Sequence, residues 1–267
     1  MTVWIVCPGE PLPIDDDGQR MLRAGILSME LVRRGHEVVW WTSSFDHSSK
    51  RHRTPHSAMA VTREGIRLQL LRGMTYSRNI GIPRLVNHFQ MAREFERLCR
   101  TEPAPDVMFC CWPTIELGHA AVRYANERSI PIALDVRDLW PDLYLDAVPA
   151  WLRKPAKVLL TPYFRATQFA FGHASAIVGI SERYLQWGLS YAGRQCRALD
   201  AVFPLGYSAP DLTNAHSPED REKFRSLGVD ESRLLCWFLG SFGNTYDLEP
   251  VIRAARKLKE EGVTDCQ

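Results

Sequence analysis

The chain has 267 residues, 45% of them hydrophobic, and a formal net charge of +2. That content suits one large domain or two smaller ones, and the balanced charge excludes a global attraction to nucleic acid. No stretch approaches the roughly 18 uninterrupted apolar residues of a membrane-spanning helix.

In chain order, VWIVC (3–7) reads as a buried strand ended by Pro8-Gly9. Residues 19–34 carry Leu22, Ile26, Met29 and Val32 at helical spacing, with Gly35 as the stop. EVVWWT (37–42) is a second strand, and Ile66, Leu68 and Leu70 alternate as a third. Residues 82–100 predict an amphipathic helix with Ile82, Leu85, Val86, Phe89, Ala92 and Phe95 on its buried face. VMFCCW (107–112), a helix over 115–128 and IPIALDV (130–136) continue the alternation. A helix over 151–171, interrupted near Pro155 and Pro162, precedes the strand SAIVGI (175–180), and Ser181 is placed to cap the next helix. DAVFPLG (200–206) reads as a seventh strand.

Strands of this length alternating with helices predict an α/β domain over 1–205, a parallel sheet with helices on both faces. Residues 206–232 read as a linker with a short helix near 219–227. LLCWFLG (234–240) reads as a new strand, and 249–261 as a helix turning Val251, Ile252, Ala255 and Leu258 inward. One strand and one helix cannot bury a core. Residues 233–267 therefore either pack on the first domain or begin a second α/β domain that is incomplete.

The seven cysteines are odd in number and show no C-x-x-C spacing, which argues for a reducing compartment and against a disulfide framework or zinc site. Cys7, Cys110, Cys111 and Cys236 lie in apolar runs and read as small hydrophobes. The opening MTVWIVCPGEP has too short an apolar run for a signal peptide and no basic leader. A cytoplasmic protein is expected.

Ligands of open α/β sheets bind beyond the carboxyl ends of the strands, so the loops there hold the candidates. The first loop, PGEPLPIDDDGQR, lacks G-x-G-x-x-G and a P-loop, which argues against a nicotinamide dehydrogenase. Gly18 lies before the first helix, where a phosphate can reach free N–H groups; a plain turn glycine fits equally. SSFDHSSKRHRTPH (43–56) clusters Lys50, Arg51 and Arg53 with three histidines, as a phosphate-receiving loop or a solvated one. Thr114 can cap the following helix or meet a ligand. In LDVRDLWPD (134–142), Asp135, Arg137 and Asp138 flank the end of the fifth strand. They fit an internal ion pair, or recognition of hydroxyls by carboxylates and of phosphate by a guanidinium.

RGHEV (34–38), ALDVRDLWPD (133–142), AIVGISE (176–182) and FLGSFGNTYDLEPVIRAARKL (238–258), in this order, resemble retaining family 4 glycosyltransferases, in the branch that builds bacterial surface polysaccharides and includes amino-sugar transferases. The resemblance implies a GT-B architecture: two Rossmann-like domains, the first holding the acceptor and the second a nucleotide-sugar donor. It implies transfer with retention and no metal or other cofactor. Gly18 matches the family glycine near the donor diphosphate, and Gly240, Ser241 and Asn244 fall in the donor-side turn of the second domain. Arg137 and Asp138 stand where many members carry a histidine near the transferred sugar. Ser241 and Asp247 stand where the family's donor-phosphate arginine and lysine are expected. Asp135, Arg137 and Asp138 are the implied catalytic cluster, with Thr114, Arg51 and Arg53 on the acceptor side. The donor half is read as missing, which leaves the chain inactive alone. A non-catalytic sugar- or nucleotide-binding remnant and a sugar-nucleotide epimerase of similar fold are the competing readings.

WLRKPAKVLLTPYFR (151–165) joins Trp151 and aliphatic side chains to Arg153, Lys154 and Lys157. That pattern fits a solvated helix face over core, or an interfacial segment on anionic lipid. The second reading agrees with a polyprenyl-diphosphate-linked saccharide as acceptor, met at the inner face of the cell membrane.

Overall fold

The computed structural model describes residues 1–15, 20–79, 81–146, 148–207, 217–240 and 246–267. The chain divides into two compact units, Met1–Ser208 and Ala209–Gln267.

The first unit is built on an eight-stranded sheet. Its strands are β1 (Thr2–Val6), β2 (Glu37–Ser43), β5 (Ala58–Val61), β6 (Arg67–Leu71), β7 (Val107–Trp112), β8 (Ile132–Val136), β9 (Ala176–Gly179) and β10 (Ala201–Val202). They are ordered β10-β9-β8-β7-β1-β2-β6-β5. Every pairing is parallel except β5 with β6. A two-stranded ribbon, β3 (Phe45–Asp46) with β4 (Arg51–His52), stands beside it. The alternation thus gives the predicted parallel α/β fold. The sequence reading missed β3, β4 and β5, whose short runs carry no period-2 pattern long enough to register.

Period-2 side-chain direction sorts the core into two layers. Val3 and Ile5 of β1 and Cys7 just after it, with Val38 and Trp40 of β2, pack under α1 (Arg23–Arg33). Trp4 and Val6, with Val39 and Trp41, face α2 (Ile82–Leu98), α3 (Ile115–Glu127), α6 (Thr161–Gly172) and α7 (Glu182–Ala192). Here Trp4 stacks on Tyr124 with centroids 5.3 Å apart and touches Trp41 at 4.8 Å. Burying each such ring contributes about 1.5–3 kcal/mol. Gly118 lets α3 lie on this layer, because a Cβ there would meet the Trp112 ring at 2.7 Å. Buried Asp200 ties the β9 start to the segment after α7, accepting from Ile177 N at 2.8 Å and from Arg194.

The predicted 151–171 helix is three pieces: a 3-10 turn (Ala150–Leu152), α5 (Arg153–Leu159) and α6. Pro162 sits in the first turn of α6, where its missing N–H costs nothing. A short α4 (Asp142–Asp146) precedes them. Ser181 occupies the N-cap of α7, but its side chain makes no capping bond.

In the second unit, α8 (Pro218–Ser226) is capped by Ser217, which accepts from Asp220 N at 3.1 Å, and α9 (Glu249–Glu260) forms as expected. The strand predicted over 234–240 does not form at that length. Leu234 instead makes a parallel bridge to Cys266, with Cys236 N donating to Gln267 O at 2.9 Å. This is the start of a βαβ crossover around α9. Val251, Ile252 and Leu258, expected to face inward, are exposed, and so is Cys236. The unit's described residues supply no sheet to cover them.

Candidate functional site

The chain leaves β1 toward β2 on one side and returns to β7 on the other, so the strand order reverses between β1 and β7. Such a switch point opens a crevice beyond the strand ends. A cleft of about 210 Å³ lies there, reached by Pro8 and Gly9 after β1, Ser43 and Phe45 at β2 and β3, and Pro113 and Thr114 after β7. His47, Tyr76, Trp140 and the α2 residues Arg84, Asn87, His88 and Met91 complete its wall. It is smaller than the roughly 300–1,000 Å³ of a drug-sized ligand pocket, the scale of one ring or group of a larger ligand.

α2 supplies the polar wall because its buried face is not the predicted one. Asn87, His88, Met91, Ala92 and Phe95 point inward, while Ile82 and Phe89 are 75% and 55% exposed. A buried stripe at 87/91/95 and 88/92 has helical spacing; a search for apolar residues alone passes over Asn87 and His88. Asn87 donates to Met74 O at 2.6 Å. His88 Nδ1 is 3.8 Å from Glu116 Oε2 and has no hydrogen-bond partner. Burial, with Arg84 and His47 behind it, pushes the His88 imidazole down to about 3. Burial also raises the Glu116 carboxyl, which accepts from Tyr163 Oη at 3.1 Å. His88 is therefore a neutral imidazole, able to accept or donate a hydrogen bond.

Thr114 sits at the N-cap of α3, but its side chain makes no capping bond, and its buried Oγ1 has no partner. Arg84 lies over the Trp140 ring at 5.3 Å and donates through Nη1 to Asn79 O at 2.5 Å, while its buried Nε is unpartnered. Buried polar groups are ordinarily satisfied. Three orphans lie around this one cleft; others lie elsewhere, at Trp4 and Trp41 in the core and at Asp135 and Arg137 beside the cleft.

Beside the cleft, LDVRDLWPD has a different character. Asp135 is fully buried, 2.9 Å from Arg23 Nε and 2.7 Å from Arg137 Nε. Arg137 also donates through Nη1 to Glu10. Glu10 in turn accepts from Ala24 N at 3.0 Å and Gly25 N at 3.4 Å. Helix α1 starts at Arg23 rather than Gln19, has no acidic residue in its first turn, and takes its anion from Glu10. The first N–H groups of this helix are thus met by Glu10. Arg137 is clamped by two carboxylates, as in the internal ion-pair alternative, while its buried Nη2 has no hydrogen-bond partner. Arg23 reaches further, donating to Phe203 O at 2.7 Å and Pro204 O at 3.0 Å. Sequence reasoning missed Glu10; its one signal is the Pro-Gly turn that throws an acid back over the strand end.

The remaining candidates separate. Asp138 accepts from Leu139 N at 3.0 Å, and burial raises its carboxyl. Asp142 fixes α4 to α7 through Trp187 Nε1 at 2.7 Å and Tyr191 Oη at 2.8 Å. Arg53 is closed off by a two-pronged pair to Asp15, 2.5 Å at each prong, so it is a latch on the hairpin rather than an open acceptor contact. Arg51 is exposed on β4, outside the cleft wall. Trp151 is 78% exposed, and Arg153, Lys154 and Lys157 are exposed beside it. Gly240 is exposed. Gly18, Ser241 and Asn244 lie outside the described residues.

No family model matches the chain, and no curated protein matches it. Solved structures do. WaaG, a glycosyltransferase involved in lipopolysaccharide biosynthesis, aligns over 100% of this chain and 62% of its own length, with 13% identity and a TM-score of 0.57. The catalytic domain of starch synthase IV from Arabidopsis thaliana, bound to ADP and acarbose, aligns over 97% of this chain and 66% of its own, with 12% identity and a TM-score of 0.57. The chain spans less than two thirds of either. The likeness shows the fold: the Rossmann-like α/β architecture of GT-B glycosyltransferases.

Proposed function

We propose that the chain is a glycosyltransferase that takes a sugar from a nucleotide-sugar and delivers it to a saccharide acceptor seated in the β1/β7 cleft. The observation that carries this reading is the set of orphaned polar atoms of Thr114, His88 and Arg84 around one crevice at the switch point. Thr114 Oγ1 and neutral His88 are suited to sugar hydroxyls, which both donate and accept. Tyr76, Phe45 and Trp140 offer ring faces. The two neighbours, one binding ADP and acarbose and one a lipopolysaccharide enzyme, support nucleotide-sugar chemistry.

In this reading, residues 1–205 form the acceptor side, 206–232 a linker and 233–267 the beginning of the donor side, with Gly18, Gly240, Ser241 and Asn244 toward the donor. Retention, membership of family 4 and a role in bacterial surface polysaccharide rest on the resemblance of DVRDLWPD and the late FLG…YDLEPVIRAA run. Arg137 acts as a positioning residue: with Asp135 and Glu10 it fixes the strand end that carries Asp138 and Trp140 to the cleft. The test is calorimetric binding of a panel of oligosaccharides, beside transfer from nucleotide-sugars to a polyprenyl-diphosphate-linked saccharide read by mass spectrometry. Saccharide binding that is lost in Thr114→Val with His88→Phe is expected, with little or no transfer by this chain alone. Absence of saccharide binding would remove the reading.

The acceptor's lipid anchor belongs to the same proposal. Among the described residues no helix is long and apolar enough to cross a membrane. Trp151, Val158 and Leu159 are 78%, 74% and 80% exposed beside three cations, which suits peripheral contact with an anionic inner leaflet. Each cation near such a surface contributes on the order of 1 kcal/mol. Sedimentation with anionic vesicles, weakened by salt and by Lys154→Glu with Lys157→Glu, is expected; equal binding to neutral vesicles would exclude it.

A further inference from the structure

The cleft has a chemical bias that the acceptor reading alone does not require. Its thirteen lining residues include Arg84 and two histidines but no aspartate or glutamate. A second cation approaches from the ribbon. Lys50, held at φ 58° in the turn between β3 and β4, places Nζ 2.6 Å from Asn79 Oδ1 and 5.1 Å from the Tyr76 ring centroid. Asn79 also receives Arg84, on its backbone carbonyl. The two cations thus converge on one residue at the cleft edge. A positive φ in a non-glycine residue costs free energy and persists where the surroundings impose it.

Nearby acids offset the pair only in part, through Asp46 beside Lys50 and Asp138 beside Arg84. Asp46 is turned to Ser48 N at 2.9 Å and Ser49 N at 3.1 Å. Asp138 is occupied by Leu139 N. Glu116, behind His88, is held toward its neutral form by burial. The basic groups register the resulting field. Burial first, and then Arg84, lowers Lys50 and His88; burial, Lys50 and Arg84 lower His47; Asp46 opposes this at Lys50 and His47 without reversing it.

From this we infer that the cleft is an anion subsite, in which Arg84 and Lys50 hold a phosphate or carboxylate group of the acceptor beside the sugar hydroxyls met by Thr114 and His88. The inference rests on the acceptor reading of the cleft. The guanidinium, pre-oriented by stacking on Trp140, offers its free N–H groups, and the ammonium adds a point charge. Two sources share this chemistry: the phosphate of a lipid-diphosphate carrier and the carboxylate of an acidic sugar.

Calorimetric titration of the 267-residue chain at low salt, with inorganic pyrophosphate, glucuronate and glucose, tests it. At least one anion should bind about tenfold tighter than glucose and weaken with added salt. A preference for pyrophosphate assigns the carrier, and one for glucuronate the acidic sugar. Arg84→Gln and Lys50→Asn should each weaken anion binding several-fold, and Lys50→Asn should leave glucose binding unchanged. Lys50→Asn suits a positive φ and sits on an exposed turn, so it decides the matter if Arg84→Gln fails to fold. Anions binding no tighter than glucose, or anion affinity unchanged in Lys50→Asn, would overturn the inference. Anion binding with no response to glucose would keep the subsite and count against the saccharide reading instead.

Discussion

Two groups of polar residues lie side by side at the carboxyl edge of the sheet, and they treat charge in opposite ways. In the clamp, Glu10, Arg137, Asp135 and Arg23 alternate in sign, and each cation meets a carboxylate within 3 Å. In the cleft, Arg84, His88 and Thr114 leave polar atoms without partners and no carboxylate lines the wall. The clamp has orphans too, Asp135 Oδ1 and Arg137 Nη2, so the two groups differ in how their charges are paired rather than in complete bonding. Paired charges hold the fold; an unpaired polar group retains its desolvation cost until something binds. The contrast assigns holding to the first group and receiving to the second.

The largest expected effect falls on the clamp. Arg137→Ala leaves buried Glu10 without a cation and Asp135 with Arg23 alone, a loss of up to about 3–5 kcal/mol. Urea unfolding should show it as a lower midpoint with an unchanged slope. The resemblance implies that Arg137 belongs to a catalytic cluster; the clamp geometry makes stability the property it should move most. A stability loss under ~1 kcal/mol would show that the pairing contributes little.

Arg53 tests the same rule away from the clamp. Arg53→Gln removes the two-pronged pair to Asp15 and the Nη1 bond to Ser43 O at 3.2 Å. The hairpin should loosen at a cost of about 2–3 kcal/mol, read by hydrogen exchange in the 45–53 backbone. Exchange as slow as in the wild type would mean that Phe45 packing, not the ion pair, holds the ribbon.

On the cleft side the readout is pH. His88 ionises at about 3 in the folded chain, below its unfolded value of about 6.5. The unfolded chain therefore takes up the proton first, so stability present above pH 6.5 is lost as pH falls toward 3. Between pH 6.5 and 5.0 the loss reaches at most ~2 kcal/mol. Glu116, shifted upward, has the opposite slope, so the difference between wild type and His88→Gln is the measurement. Parallel stability curves for the two proteins would show that His88 is hydrated and free.

What was legible in the sequence follows from which signals are local. VMFCCW and the βα alternation state the parallel sheet in their own letters, and β7 spans the predicted residues 107–112. LDVRDLWPD announced a special strand end because its charges are neighbours in sequence. The roles within it were hidden, since Arg137 is decided by Glu10, 127 residues away. The cleft was the least readable. His88 and Asn87 sit in a helix scanned for its apolar face, and Lys50 in a loop scanned for loose cations. Only the sheet order brings these segments to one crevice. The strand at 234–240 failed for the converse reason: its apolar letters fit a strand, but a strand needs neighbours along its length, and the second unit supplies one bridge.

The smallest change in stability, and the sharpest test of the contrast, is Thr114→Val. The substitution keeps the β-branched shape at the N-cap of α3 and removes only a buried hydroxyl with no partner. An unsatisfied hydroxyl contributes no bond to lose, and its removal relieves desolvation; folding should change by less than ~0.5 kcal/mol or become slightly more favourable. The same hydroxyl in the clamp, with partners, would behave oppositely. Saccharide binding should weaken by about 0.5–1.5 kcal/mol, the net worth of one hydrogen bond. The two measurements together discriminate. Stability preserved with binding weakened places Thr114 among the receiving groups. A loss of stability near 1 kcal/mol with binding unchanged would mean that its hydroxyl serves the fold, and the cleft would then lose one of the three atoms that define it.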